Sequence, residues 1–332
     1  MTAGCGLGWV DNHSGGAEHL PTSGVGPYTK LLLDLESPAN EPYVVTIFQA
    51  NLVDPSALRR ADGGYRLWFG NESITTPPTS EIWMAELARL DDLPEFGPER
   101  VLAPDQAWEG TRVGSPCVIE VDSLSRSQNN RLDRSADNEL VMFYQAGSDI
   151  ASIGRAYSDN GGKTWVKHPG NPVLEGFGSP AVAKLPDGSW LLYATRPDRP
   201  GIFRARSEDG LSWQADENPV IAPRPNLPDA FDRNAVFNPW LVITRTVTGN
   251  LHYGLFFDGL DQAGEDGVHA IGWAGSFDGL DWQRYANPDG PVLEAGPPSE
   301  QGPAVLLEPD RGVMFFSQRL QGTQSIAAAM HP

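Results

Sequence analysis

Carboxylates, arginines and amides recur at two kinds of position in this chain. One is the short run before a proline that opens an apolar segment. The runs "FQANLVD", "WEGTRVGS", "LEGFGS", "FDRNAVFN" and "PPSEQG" carry Asp54, Glu109, Arg112, Glu175, Asp232, Arg233, Asn238 and Glu300. The other is the run just after a second apolar segment, which carries Asn71, Gln145, Arg196, Asp258, Gln318 and Arg319. Two carboxyl groups held close together push their proton affinities apart, so one keeps a proton while the other accepts one. Arginines and amides supply donors to a ligand rich in hydroxyls. If these runs meet in space, the set suits paired acid–base chemistry on a polyhydroxylated molecule, or its binding.

Whether they meet depends on the elements that carry them. Prolines 55, 116, 180, 239 and 303 each open an apolar segment, at spacings of 61, 64, 59 and 64 residues. A fixed period of this length points to propeller blades or solenoid turns. Each period has the same internal order. A turn, often Asp-Gly as in Asp62-Gly63 and Asp187-Gly188, leads to a second segment with bulky apolar residues. These are Leu67-Trp68-Phe69, Met142-Phe143-Tyr144, Leu191-Leu192-Tyr193, Leu255-Phe256-Phe257 and Met314-Phe315-Phe316. A third segment follows, as in "ASIGRAYS" and "HAIGWAGS". Then come the turns "SDNGGKTW", "SEDGLSW" and "SFDGLDW", and a closing "NPVLE", "NPVIA" or "GPVLE". Four antiparallel strands per period define a propeller blade, so the expected fold is all-β, a single five-bladed β-propeller spanning 1–332. The blades start near 54, 115, 179, 238 and 302.

The turn residues have local tasks. Glycine supplies a positive φ, and Asp or Asn bonds its own backbone two residues on. Trp165, Trp213 and Trp282 are expected to pack between blades. The last period lacks a fourth strand, and residues 1–45, around Trp9, are expected to close the ring and cover its edge. The polar stretch 123–138 is expected to be a loop.

In a propeller the loop into the innermost strand and the loop out of the second strand share a face. Both kinds of run therefore converge on one mouth of the central channel, where ligands bind.

Composition narrows the function. A formal charge of −19 disfavours phosphate backbones and anionic lipid, so neither nucleic acid nor a membrane surface is an expected partner. Two cysteines, Cys5 and Cys117, are too few for a disulfide framework and are not spaced as a metal pair. "MTAGCGLGWVDN" has neither the basic start nor the apolar run of a signal peptide, which sets a cytoplasmic expectation. There is no His-Glu-x-x-His and no Gly-x-Ser-x-Gly. No cofactor and no metal is expected. The sequence does not speak to oligomeric state.

The period resembles the five-bladed β-propeller glycoside hydrolases: families 43 and 62, the fructan-acting families 32 and 68, and the mannoside-acting family 130. "VDPSALRRADGGYRLWFGN" looks like the Asp-Pro motif that opens the first blade in family 43. The "SDNGGKTW" turn also resembles the structural Asp-box of sialidases, with Asn160 at the Asp position. The resemblance implies attack at an anomeric carbon between two carboxyl groups, with a third tuning the acid. It makes Asp54 the general base or nucleophile. The family's third-blade Asp-Pro is here Ser179-Pro180, with Glu175 four residues upstream. Its Glu-Gly-Pro-like acid motif is replaced in the fourth blade by "FDRNAVFNP", offering Asp232 and Arg233. The nearest likeness, "EQGP" with Glu300, lies in the fifth. Glu175, Asp232 and Glu300 are thus the further catalytic candidates. Asn71, Arg112, Gln145, Arg196, Arg233, Asn238, Asp258 and Arg319 are the binding candidates. Two readings stay open: a glycosidase or glycoside phosphorylase acting on a small glycoside or oligosaccharide, and a non-hydrolytic propeller. The latter would bind carbohydrate or catalyse another acid–base reaction, such as a cyclisation in small-molecule biosynthesis.

Overall fold

The structure is a computed structural model. It describes residues 51–73, 75–90, 97–121, 139–147, 151–246, 248–264, 267–284, 290–293, 299–308, 311–320 and 323–331, with short strands at 29–30, 32–33, 43–44 and 46–49. Five antiparallel sheets stand around a common axis. Each starts with its innermost strand.

The first blade runs Leu52–Arg59, Tyr65–Ser73, Thr79–Leu87 and Glu99–Leu102. The second runs Val113–Val121, Glu139–Ala146 and Ser152–Ser158. Its outer position is shared by Val166–Lys167 and Leu174–Glu175. The third comprises Gly178–Lys184, Trp190–Arg196, Arg199–Ser207 and Gln214–Ala215. The fourth comprises Ala235–Arg245, Leu251–Leu260, His269–Ser276 and Gln283–Arg284. The fifth has Ser299–Leu307, Gly312–Leu320 and Thr323–His331. Against the last of these pair Thr29–Lys30 and Thr46–Gln49. The segment around Trp9 and the stretch 123–138 lie outside the described residues. Among the described residues the one helical element is a single turn at Ala107–Glu109, and no helix is long and apolar enough to cross a membrane.

Successive side chains of a strand point to opposite faces, and every second strand is buried on both. Leu67-Trp68-Phe69, Met142-Phe143-Tyr144, Leu191-Leu192-Tyr193, Leu255-Phe256-Phe257 and Met314-Phe315-Phe316 are all 5% exposed or less. Burying such a side chain contributes roughly 1.5–3 kcal/mol. The turn tryptophans complete the joints between blades. Trp165 packs edge-to-face on Trp68, Trp213 on Phe143 and Trp282 on Tyr193, with ring centroids 6.3, 5.9 and 5.3 Å apart. Each pair joins a turn of one blade to the second strand of the blade before it. The turns themselves are wound by local bonds. In the third blade Ser207 Oγ donates to Asp209 Oδ1, which also accepts from the amides of Leu211 and Ser212. The fourth blade repeats this with Ser276 and Asp278.

The innermost strands share one irregularity. Each ladder slips register at its proline: between Val53 and Ser56, Gly114 and Cys117, Gly178 and Ala181, Phe237 and Trp240, and Gln301 and Ala304. Proline has no N–H for the ladder, so the strand bulges there. The residue before each proline takes a left-handed conformation. The φ values are +50° at Asp54, +43° at Ser115, +48° at Ser179, +43° at Asn238 and +58° at Gly302. Four of the five are not glycine, and such backbone is uncommon and costs about 1–3 kcal/mol per residue. The bulge brings these five positions together.

Candidate active site

The five pre-proline residues are joined by hydrogen bonds from blade to blade. Ser115 Oγ donates to Asp54 Oδ2 at 2.7 Å. Asn238 Nδ2 reaches Asp54 Oδ1 at 3.3 Å and Asp258 Oδ2 at 2.8 Å. Ser179 Oγ donates to Asn238 Oδ1 at 2.7 Å, and the Ser179 amide donates to Gln145 Oε1 at 2.9 Å. The amide of Gly302 donates to Asp258 Oδ1 at 2.9 Å. The Asp54 amide, freed from the ladder by the bulge, donates to Ser317 Oγ at 2.8 Å. A Cβ on Gly302 would stand 2.8 Å from Asp54 Oδ1, so only glycine leaves room for that carboxylate.

Two carboxyl groups thus share one amide. The 3.3 and 2.8 Å bonds cap the separation of the two acceptor oxygens at about 6 Å. Their surroundings differ. Asp258 has no exposed surface, while Asp54 keeps part of its surface open. Burial pushes Asp54 up to about 6; the Ser115 hydrogen bond opposes this and the nearby Glu72 charge adds to it. Burial raises Asp258 well above the usual carboxylate range, and the Asp54 charge raises it further against the bonds from Asn238 and Gly302. Of the two, Asp258 therefore holds a proton the more firmly and Asp54 is the first to carry charge. Glu72, at the end of the second strand of blade one, is partly open and paired to Arg112 at 2.8 Å.

The sequence-derived candidates separate into groups. Asp54, Asn238, Asp258 and Gln145 are joined in this network. Arg112 stands beside it through Glu72. Glu300 is buried in the innermost strand of blade five, opposite Gln318 and two residues before Gly302. Glu175 is exposed on the outer edge of blade two, opposite Ser152. Asp232 is buried between Arg224 at 2.8 Å and Arg284 at 2.9 Å. Among the described residues, neither Glu175 nor Asp232 bonds to the Asp54 network. Glu109 is buried and holds Lys167 at 2.7 Å and the Tyr144 hydroxyl at 2.8 Å, a lock within the second blade.

The remaining binding candidates are dispersed. Arg196 makes a two-pronged pair with Asp198 and lies 5.3 Å over the Phe177 ring. Arg233 donates to the carbonyls of Asp261 and Pro228 at 2.6 and 2.8 Å. Asn71 pairs with Leu52 and Glu81 in blade one. Arg319 is exposed opposite Ser299. A separate crevice of about 620 Å³ lies between blades three and four, lined in part by Arg204, Asp216 and Trp282, and contains none of the axial carboxylates.

Residues not singled out from the sequence also belong to the centre: Glu72, Ser115, Ser179, Gly302 and Ser317. Ser115, Ser179 and Gly302 occupy the same place in the period as Asp54 and Asn238. That equivalence was readable, but their chemistry was not, because a serine or glycine before proline carries no charge to notice.

The architecture defines a five-bladed propeller in which two carboxyl groups share an amide where the innermost strands meet. No protein-family profile matches the chain, and no curated protein matches it. Solved structures do share the fold. One, described as belonging to the GH130 family of mannoside phosphorylases, which contains glycoside hydrolases that target beta-1,2 mannosidic linkages in Candida mannan, is 17% identical. The match covers 94% of this chain and 96% of that one, with a TM-score of 0.60. A glycosyl hydrolase from Bacteroides ovatus is 15% identical over 95% and 94% of the two chains, with a TM-score of 0.59. A fructofuranosidase from Schwanniomyces occidentalis complexed with fructosylnystose is 14% identical, with a TM-score of 0.60, over 94% of this chain and 60% of its own.

Proposed function

We propose that the protein is a glycoside-processing enzyme, acting on a small glycoside or oligosaccharide at the channel mouth by carboxylate acid–base catalysis. The observation that carries this reading is the state of Asp54. Of the five equivalent pre-proline positions it alone bears a carboxyl group. It is held against the axis by blades two and four, and it is charged near neutrality yet raised enough to accept a proton. Asp54 takes a proton from the attacking water or hydroxyl, or attacks the anomeric carbon itself. Asp258, enclosed and bonded at both oxygens, tunes Asp54 rather than touching substrate. We assign the second carboxyl role to Glu72, which stays open and oriented by Arg112. The sugar-acting fold neighbours support a carbohydrate as the substrate class.

A panel of nitrophenyl glycosides, assayed with and without phosphate, tests the reading and separates hydrolysis from phosphorolysis. Turnover of at least one is expected, with Asp54→Asn lowering kcat by about 10²-fold or more while the fold is kept. A variant as active as the parent would remove Asp54 from the mechanism. The closure of Asp258 and the locking of Asp232 between two arginines favour one alternative: a non-hydrolytic propeller that binds carbohydrate or performs a single proton transfer, such as a cyclisation. Calorimetric binding of sugars without turnover of any glycoside would select it.

A further inference from the structure

The donors that reach the two axial carboxylates share one origin. Asp54 receives Ser115 Oγ and Asn238 Nδ2; Asp258 receives Asn238 Nδ2 and the Gly302 amide. Ser115, Asn238 and Gly302 are all pre-proline residues, and a fourth, Ser179, holds the oxygen end of the Asn238 amide. Both hydrogens of the Asn238 NH2 group are spent on carboxylates, one on each. We propose that Asn238, anchored by Ser179, is the positioning residue that holds the two carboxyl groups against one shared amide and supplies both Asp54 and Asp258 with an N–H donor for their ionised forms.

The geometry supports this in two ways. With Oδ1 tied to the Ser179 hydroxyl, the amide presents only N–H to the carboxylates, which favours the ionised form of each. The bond to Asp258 is the shorter, but Asp258 is fully enclosed. Asp54 receives the longer bond, is partly open and has a hydroxyl donor of its own. Other charged groups toward this end of the surrounding strands include Glu72, paired with Arg112, on the side of blades one and two, and Glu300 and Arg319 on adjacent strands of blade five. None of these replaces the shared amide. Ser179 is anchored in turn by Gln145. Orientation therefore passes from blade two to blade three, then to blade four, before it reaches a carboxylate of blade one.

The consequence for turnover rests on Asp54 being the reactive group, but the effect of the shared donor is read without any substrate. Carboxyl carbon shifts of 13C-labelled full-length protein are followed from about pH 3 to about pH 9, with Asp54→Asn and Asp258→Asn providing the assignments. Asn238→Ala removes a donor from both groups and is expected to raise both midpoints by about one pH unit. Ser179→Ala is expected to raise both by less. Ser115→Ala is expected to raise Asp54 and leave Asp258 nearly in place. Unchanged midpoints in folded Asn238→Ala would overturn the proposal; if that variant does not fold, unchanged midpoints in Ser179→Ala would do the same. Absence of glycoside turnover would not touch this result. Conversely, an unaltered titration would leave Asp54 as the reactive carboxylate without its relay.

Discussion

At the scale of single residues, the centre trades stability for a poised charge. Asp54 titrates near 6 in the folded protein, against 3.8 as the ordinary value, because burial disfavours its charge. A carboxyl whose value is raised on folding favours the folded state fully below the ordinary value. That contribution is lost as pH rises from about 4 to about 6. Above that window the charged form costs at most about 3 kcal/mol, less the relief from partial exposure. Asp54→Asn is therefore expected to stabilise the protein by about 1–2 kcal/mol at pH 8 and by almost nothing at pH 4. Urea unfolding at the two pH values measures this. Equal effects at both would show that the carboxyl is not desolvated. Asp54 was legible in the sequence because a charge stood beside a proline at the start of a period. Asp258 appeared only as one of several polar groups after a strand, and nothing local marked it as the partner of a residue 204 positions earlier.

At the scale of the element, the blade is built from short-range signals that the sequence states openly. Proline interrupts the innermost ladder, Asp-Gly turns the chain, and Ser-x-Asp-Gly winds the loop that carries a tryptophan. The aromatic joints are the contacts most sensitive to truncation. Phe143 is fully buried and meets Trp190 and Trp213, each at 5.9 Å. Phe143→Ala is expected to cost about 3–5 kcal/mol, read by chemical denaturation. A cost below about 1 kcal/mol would mean that blades two and three do not depend on this joint. What the element pattern hid was the bulge. A period-2 alternation predicts straight strands, whereas the proline slips the register and turns the preceding side chain toward the axis. Glu175 shows the converse. It lies only four residues from Ser179, yet it ends a strand on the outer edge of blade two, and four residues of chain are enough to change blade.

At the scale of the whole molecule, the fifth blade pairs with chain that precedes the first. Thr29–Lys30 and Thr46–Gln49 pair with Thr323–His331, covering what would otherwise be an open edge of the fifth blade. Deleting residues 1–50 is expected to lower the melting temperature by several degrees and to promote self-association through the exposed strand. Calorimetry and light scattering check both, and an unchanged melting temperature would show that this pairing carries no stability. The amino-acid sequence by itself determined the all-β class, the five periods, the turn chemistry and the presence of a carboxyl group at the first pre-proline position. These depend on residues within a strand or two of each other, so their physics is local. Tertiary contact alone joins Ser115, Ser179, Asn238 and Gly302 to Asp54 and Asp258 in one open hydrogen-bonded network, gives the two carboxyl groups a common amide, and commits Asp232 to two arginines. Those contacts exist because the strands curve round an axis, and no local signal specifies which side chains that curvature will bring face to face.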